Sequence, residues 1–278
     1  MVRVRQYYDD RGVPIAVPGT PDEVFVAWRS HRRRFRNWFA ALSDEDWAAP
    51  TRCTEWCVTD MAEHLISGAQ FLGYTLHSAR KGEGTRLLAA FDAQETPKAA
   101  AAMFKVWTPK QLVEHMHVMD ASVEKELDDL GDGSRLPAEA PPGRVPAYVS
   151  VNHFLFDSWV HERDVMLPAG QVPVLDPNES AVVVSYVMAL AGVAGTSEEE
   201  APASRTLRLH VTDLGRDICV EVADGKSSTR FEALAHGANA VGSSGDLVDA
   251  ATGRRSASSL GADGEAAEFL AHFSRVMA

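Results

Sequence analysis

Cysteine is scarce in this chain. Three thiols in 278 residues are an odd number and too few for a disulfide framework, so a reducing, cytoplasmic setting is expected. Positive charge is short as well: 27 Lys and Arg stand against 39 Asp and Glu, a formal net charge of −12. With no basic stripe to neutralise phosphates, the composition argues against a nucleic-acid partner and against an anionic membrane surface. No apolar run approaches the roughly 20 residues that span a bilayer. The first twelve residues lack the apolar core of a secretory signal. Gly-rich phosphate loops and nucleophile elbows are missing too, so nothing supports nucleotide-driven chemistry.

What is present suffices for a large core: 45% of residues are hydrophobic and 24% charged, the proportions of a folded globular chain. Thr20-Pro21-Asp22-Glu23 reads as a capping box with Pro at the first helical position. Behind it Val24, Trp28, His31, Phe35, Trp38 and Leu42 recur at three- and four-residue steps, one apolar helix face. Arg32, Arg33, Arg34 and Arg36 interleave with that face and read as a solvated flank with snorkelling stems. Thr59 reads as the cap of a second helix with Met61, Leu65, Gly68, Leu72 and Leu76 inward, and Thr108-Pro109 opens a third. Gly131 to Pro142, rich in Gly and Pro, predicts a loop. A fourth helix follows from about Pro146 to Asp164. Four such helices suggest a bundle.

The composition changes after a linker at Val172 to Pro177. Asp176-Pro177-Asn178-Glu179 caps a very apolar helix, and Thr196 to Ser204 is a polar, acidic loop. Leu207, Leu209 and Val211, then Ile218, Val220 and Val222, alternate with polar residues on either side of Gly215, the period-two pattern of a hairpin. Asp246 to Thr252 and Glu265 to Met277 read as closing helices. The expected fold is α+β, with a helical bundle over 1–170 and an α+β domain over 171–278.

The fourth helix holds the sharpest chemical signal. His153, Asp157 and His161 stand at i, i+4 and i+8, on one side of a helix. Asp157 and His161 offer a carboxylate oxygen and an imidazole nitrogen, donors suited to Zn²⁺ or a similar divalent ion. His64, one turn into the second helix and beside its apolar stripe, is the candidate third ligand. Three protein ligands leave a coordination position for water or substrate. The plainer alternative is half-buried histidines donating to carboxylates. His153 either joins the layer behind the ligands or packs, and His31 reads as a satisfied core residue. His115 and His117, two apart, cannot face one ion together, and His210 sits on the polar side of a strand. Cys53 and Cys57, spaced C-x-x-x-C, match neither a redox motif nor a usual zinc knuckle. Cys53 is either a thiol activated near a helix N-terminus or a buried structural one.

The stretch Thr51-Arg52-Cys53-Thr54-Glu55-Trp56-Cys57-Val58-Thr59-Asp60-Met61-Ala62-Glu63-His64-Leu65 resembles a signature of the mycothiol-dependent maleylpyruvate isomerase family, within the DinB-like metal-binding four-helix superfamily. The segment Asp157 to Val165, with Val160-His161 and Asp164, is similar to that family's second signature. The resemblance implies an N-terminal DinB-like four-helix bundle and a C-terminal sterol-carrier-like α/β domain. It implies a divalent metal, with zinc expected, held by His64, Asp157 and His161. It implies mycothiol as thiol cofactor, a small-molecule substrate, and isomerase or S-transferase chemistry in which a thiolate attacks an electrophile. Asp164 would either accept the imidazole N–H behind the metal or anchor the linker between the domains, and Arg254, in a Gly-Arg of the second domain, would either bind a substrate carboxylate as a fork or lie solvated at the surface. The chain departs from the isomerase pattern at Asp157, where that pattern has Glu. The side chain is one methylene shorter, so the helix must come closer or coordination must loosen. About 20 residues before the first helix could also cover or extend the pocket.

Two other readings compete. A metal-dependent hydrolase on the same scaffold would use bound water in place of the thiol. A non-catalytic binding protein for small molecules or lipids would line a cavity with Ala181 to Ala194, unless that stretch is simply a core helix. A monomer or a homodimer is equally compatible with the sequence.

Overall fold

The structure is a computed structural model that describes residues 15–90, 92, 95–102, 106–195, 204–233 and 237–277. The expected N-terminal cover over residues 1–14, and most of the acidic loop after Thr196, lie outside the described residues. The chain forms two compact units, one of Val24–Val174 and one of Leu175 onward together with the residues up to Glu23.

In the first unit, α1 (Pro21–Ala40) starts where the capping box places it: the Thr20 N–H donates to Glu23 Oε2 and the Glu23 N–H to Thr20 Oγ1. α2 (Val58–Arg80) is capped by Cys57, one residue before its start, whose N–H donates to Asp60 at 2.9 Å. Thr59 is not the cap; its hydroxyl donates to the Trp47 carbonyl. A short α3 (Glu95–Ala101) precedes α4 (Pro109–Leu130), which opens on a Thr108–Gln111 capping box. α5 (Ala147–Met166) completes the set of four long helices. Phe35 and Phe39 of α1, Met61, Leu65 and Ile66 of α2, Leu112 and Met116 of α4 and Val165 of α5 share one core.

Two expectations fail in this unit. The segment read as a loop holds a 3-10 turn at Gly131–Arg135 and a hairpin of β2 (Pro137–Ala140) against β3 (Gly143–Pro146). Buried Glu139 fastens this hairpin to the bundle. Its carboxylate accepts the Leu87 and Leu88 N–H groups at 3.0 Å each, and its own N–H donates to Thr75. Gly and Pro mark the ends of such a hairpin, but small Ala residues between them carry no strand signal. The arginine cluster is the second correction. Only Arg33 is exposed. Arg32 is 4% exposed and donates through Nε to Asp120 at 2.9 Å. Arg36 reaches the other Asp120 oxygen at 2.8 Å, and Arg34 forks onto buried Glu162. His31 is a satisfied core residue, paired with Ser158 at 2.9 Å.

The second unit is built on a five-stranded sheet. β1 (Ile15–Ala16), β4 (Ser204–Val211), β5 (Arg216–Ala223), β6 (Lys226–Glu232) and β7 (Ala240–Gly242) lie in the order β1-β6-β5-β4-β7. The predicted hairpin is β4–β5, with Leu209 opposite Ile218 and the turn closed by Gly215 at φ 61°. β6 has no apolar alternation. Its inward positions are Ser227 and Thr229, and the Thr229 hydroxyl donates to a carbonyl of α6. α6 (Pro177–Gly195), α7 (Ser244–Ala251) and α8 (Gly264–Met277) complete the unit. Contrary to the expectation that no apolar run approaches a membrane span, α6 is long and apolar enough by length and composition, but 78% of its Pro177–Ala194 window is buried. It is a core helix, as the plainer reading of Ala181 to Ala194 expects. Gly192 lets it press on the sheet: a Cβ there would stand 2.8 Å from the Ser227 Cβ. β1 belongs to this sheet by parallel pairing with β6, so residues 15–23 group with the second unit although the boundary drawn at 170 puts them in the first.

Candidate metal centre

His64 lies on the face of α2 that meets α5, and Asp157 and His161 lie one turn apart on α5. Helical spacing sets the second pair on one side, and packing of α2 on α5 supplies the third group. His64 Nε2 stands 3.1 and 3.3 Å from the two Asp157 oxygens, and His161 Nε2 stands 3.5 Å from Oδ1. Ligands held at about 2.0–2.2 Å in a tetrahedron stand roughly 3.2–3.6 Å apart, so the Asp157 separations are those of a tetrahedral edge. All three donor atoms lie within 4.8 Å of one another. Two imidazole nitrogens and a carboxylate oxygen form a borderline donor set that suits zinc-like ions. The shorter Asp157 side chain therefore reaches both imidazoles. Side chains of His64, Asp157 and His161 keep 11%, 20% and 11% of their surface exposed, so a small ligand has access.

The surroundings orient His161 more firmly than His64. Asp164 is fully buried, and its Oδ2 pairs with His161 Nδ1 at 2.9 Å, leaving Nε2 turned to Asp157. This is the carboxylate-behind-histidine arrangement of metal sites. His64 has no such partner: its Nδ1 is buried without a hydrogen bond among the described residues. Its ring is held by packing, 5.0 Å from Trp56 and edge-on to His161 at 4.9 Å. His153 sits one turn before Asp157 with its ring edge-on to Phe154 and Phe156. Burial pushes its pKa down to about 4 despite the nearby Asp157 charge, so it is neutral near pH 7.

Charge in the cluster follows from these pairings. Burial opposes ionisation of Asp157, but His64 and His161 outweigh it and hold the carboxyl well below its usual range. Burial likewise disfavours the His161 cation, yet Asp157 and Asp164 raise that imidazole well above its usual value. The signs fix a pH window for the metal-free chain. The Asp157 contribution to stability is present above about pH 4 and fades as pH falls through the depressed folded pKa. The His161 contribution is full below about pH 6.5 and fades as pH rises through the raised folded pKa. Melting of the chain in chelator is therefore expected to peak between about pH 4 and 6.5 with respect to this pair. A divalent ion must displace the His161 proton, so its apparent affinity falls as pH falls. Melting curves from about pH 3 to 9 check the two flanks of that window, and metal titrations across the neutral range check the fall in affinity.

The sequence singles out every member of the donor set and marks the turn before α2 by its signature, but it assigns Arg52, Cys53 and Trp56 no part in the centre. Arg52 Nε donates to Asp164 Oδ1 at 2.9 Å, and the Cys53 thiol donates to Oδ2 at 3.3 Å. Trp56 covers both imidazoles, 6.2 Å from His161. The spacing from Thr51 to Leu65 holds the signal, which becomes legible once Asp164 is placed. Of the other histidines weighed from the sequence, His115 packs on Trp107, His117 is exposed, and His210 pairs with Asp217 within the sheet. Arg254 lies in the second unit, in the turn after α7, with Nη1 on the Thr252 carbonyl.

A helical unit whose facing helices converge two imidazoles and a carboxylate, joined to an α+β sheet unit, defines a class of two-unit protein with a metal-competent bundle. The sequence profile of the mycothiol maleylpyruvate isomerase N-terminal domain matches residues 28–166, half of the chain. The chain belongs to that family. Crystal structures of the mycothiol-dependent maleylpyruvate isomerase and of its histidine-to-alanine mutant share the fold. Each has a TM-score of 0.61 and 16% sequence identity, over 85% of this chain and 90% of the other. The match runs through both units. No curated protein matches the chain in sequence.

Proposed function

We propose that this chain is a metal- and thiol-dependent enzyme, an isomerase or S-transferase acting on a small electrophile. The observation that carries the reading is the convergence of His64 and His161 on Asp157 at tetrahedral-edge separations, with Asp164 behind His161. These three residues would hold a divalent ion, with zinc the best match to the donors. Such an ion lowers the pKa of a bound thiol enough to make it a thiolate at neutral pH. The family name points to mycothiol as that thiol. The chain's own residues do the rest: Asp164 keeps His161 turned to the ion, Trp56 shields the imidazoles, and neutral His153 adds no competing charge beside Asp157. Arg254 is offered as a fork for a substrate carboxylate, its test being a rise in KM for a carboxylate substrate in Arg254→Met with kcat little changed. Three free cysteines agree with a reducing cytoplasm.

The test is metal content of the purified protein, followed by Co²⁺ substitution and addition of a thiol. The expected result is one ion per chain and a new sulfur-to-cobalt absorption on adding the thiol. Ester or amide hydrolysis without any thiol would favour the hydrolase instead. A folded chain that takes up no divalent ion would sink both and favour a binding protein.

A further inference from the structure

We propose that the dipeptide Arg52-Cys53 is the positioning element of the metal centre, acting on His161 through Asp164. The inference rests on the metal reading above and concerns residues that reading does not use.

Asp164 is a fully buried carboxylate on the last turns of α5. A buried charge is tolerated only when its oxygens are satisfied. Here the Arg52 guanidinium takes Oδ1 at 2.9 Å, while the Cys53 thiol at 3.3 Å shares Oδ2 with His161 Nδ1 at 2.9 Å. Two consecutive residues thus fix the plane of the carboxylate, and the carboxylate fixes the imidazole. The turn that carries them is itself rigid. The Thr51 hydroxyl accepts the Cys53 N–H and donates to the Trp56 carbonyl, and the Trp56 N–H donates to the Cys53 carbonyl. The turn is docked on α5 independently of its side chains, because the Arg52 backbone N–H donates to the Asp164 carbonyl at 3.0 Å. Side-chain replacement at 52 or 53 therefore removes the grip on the carboxylate while the docking bond persists. That separation is what makes positioning testable apart from folding. Loss of partners behind a ligating histidine typically costs about 10–100-fold in metal affinity. The charge-assisted bond of Arg52 should account for more of it than the weak thiol donor.

The experiment is Co²⁺ titration of the full chain, read by the visible d–d bands, for wild type, Arg52→Met, Arg52→Lys and Cys53→Ser. Metal-free thermal melting is recorded beside each. Arg52→Met is expected to bind Co²⁺ about 10–100-fold more weakly with altered band positions. Arg52→Lys, which restores a cation to one oxygen, should recover most of the affinity. Cys53→Ser puts a shorter, hydroxyl donor at Oδ2 and should weaken Co²⁺ binding by a resolvable factor of about 2–10 with shifted bands; if Arg52→Met fails to fold, wild-type affinity in Cys53→Ser alone overturns the proposal. Wild-type affinity and spectrum in both Arg52→Met and Cys53→Ser would overturn the proposal while leaving the metal reading intact. Loss of affinity in Arg52→Met that Arg52→Lys does not recover would also overturn it, since a cation on Asp164 would then not be what matters. Absence of Co²⁺ uptake by the wild type would overturn the metal reading itself, and the positioning role with it.

Discussion

Replacing His161 by alanine is expected to lower divalent-metal affinity by at least about a thousandfold, roughly 4 kcal/mol. Purified His161→Ala should carry no stoichiometric ion. The size follows from what the ring does. It presents Nε2 beside Asp157 and Nδ1 to Asp164, so its loss removes a ligand and leaves a buried carboxylate facing a void. His64→Ala should fall short of that, because His64 is held by packing against Trp56 and its Nδ1 anchors nothing among the described residues. Asp164→Asn keeps all three ligands and loses only the charge behind one of them, so a loss of about 10–100-fold is expected. The order His161→Ala, His64→Ala, Asp164→Asn is thus a ranking by number of bonds removed. Elemental analysis and competitive titration with a chromophoric chelator measure it. Retention of a full equivalent of metal by His161→Ala would place any ion elsewhere in the chain.

That ranking uses residues legible before any coordinates, and the reason is geometric. Asp157 and His161 share a helix, and a four-residue step is a contact by itself. His64 needed a guess about packing, which the apolar stripe of α2 supported. The family resemblance joined the two halves. What failed to show has equally physical grounds. Asp120 and Glu162, the partners of the arginine cluster, stand 84–128 residues away in sequence, and no local spacing announces an ion pair at that range. A run of arginines reads as solvated because burying one unpaired is prohibitive. The fork on Glu162 and the buried bond to Asp120 invert that reading. β6 escaped for the opposite reason: its buried positions are Ser227 and Thr229, matched to a helix carbonyl and a close glycine rather than to an apolar layer. Cys57 took the cap from Thr59 because its N–H, one residue before the helix, meets Asp60 as the box requires.

The buried arginine pair carries the largest expected change in folding stability. Asp120 is fully buried between α1 and α4, with Arg32 on one oxygen and Arg36 on the other. Arg32 also donates to Ser158 at 3.0 Å, so this cluster ties α1 to both α4 and α5. Removing one member of a buried pair strands the other, at a cost of about 3–5 kcal/mol. Asp120→Ala should therefore lower the urea midpoint of the helical unit by at least about 1 M, given slopes of about 1–3 kcal/mol/M. The probe is built in: all six tryptophans, Trp28, Trp38, Trp47, Trp56, Trp107 and Trp159, belong to that unit, so fluorescence follows its unfolding alone. Arg36→Met should cost far less, about 1 kcal/mol or under. Arg36 is the more exposed partner, at 16% of its side-chain surface, and its loss leaves Asp120 still bound by Arg32. The contrast between the two variants separates burial from charge count, because each deletes one ion from the same cluster. Equal midpoints for Asp120→Ala and wild type would mean that the arginines of α1 behave as the solvated flank their sequence suggests.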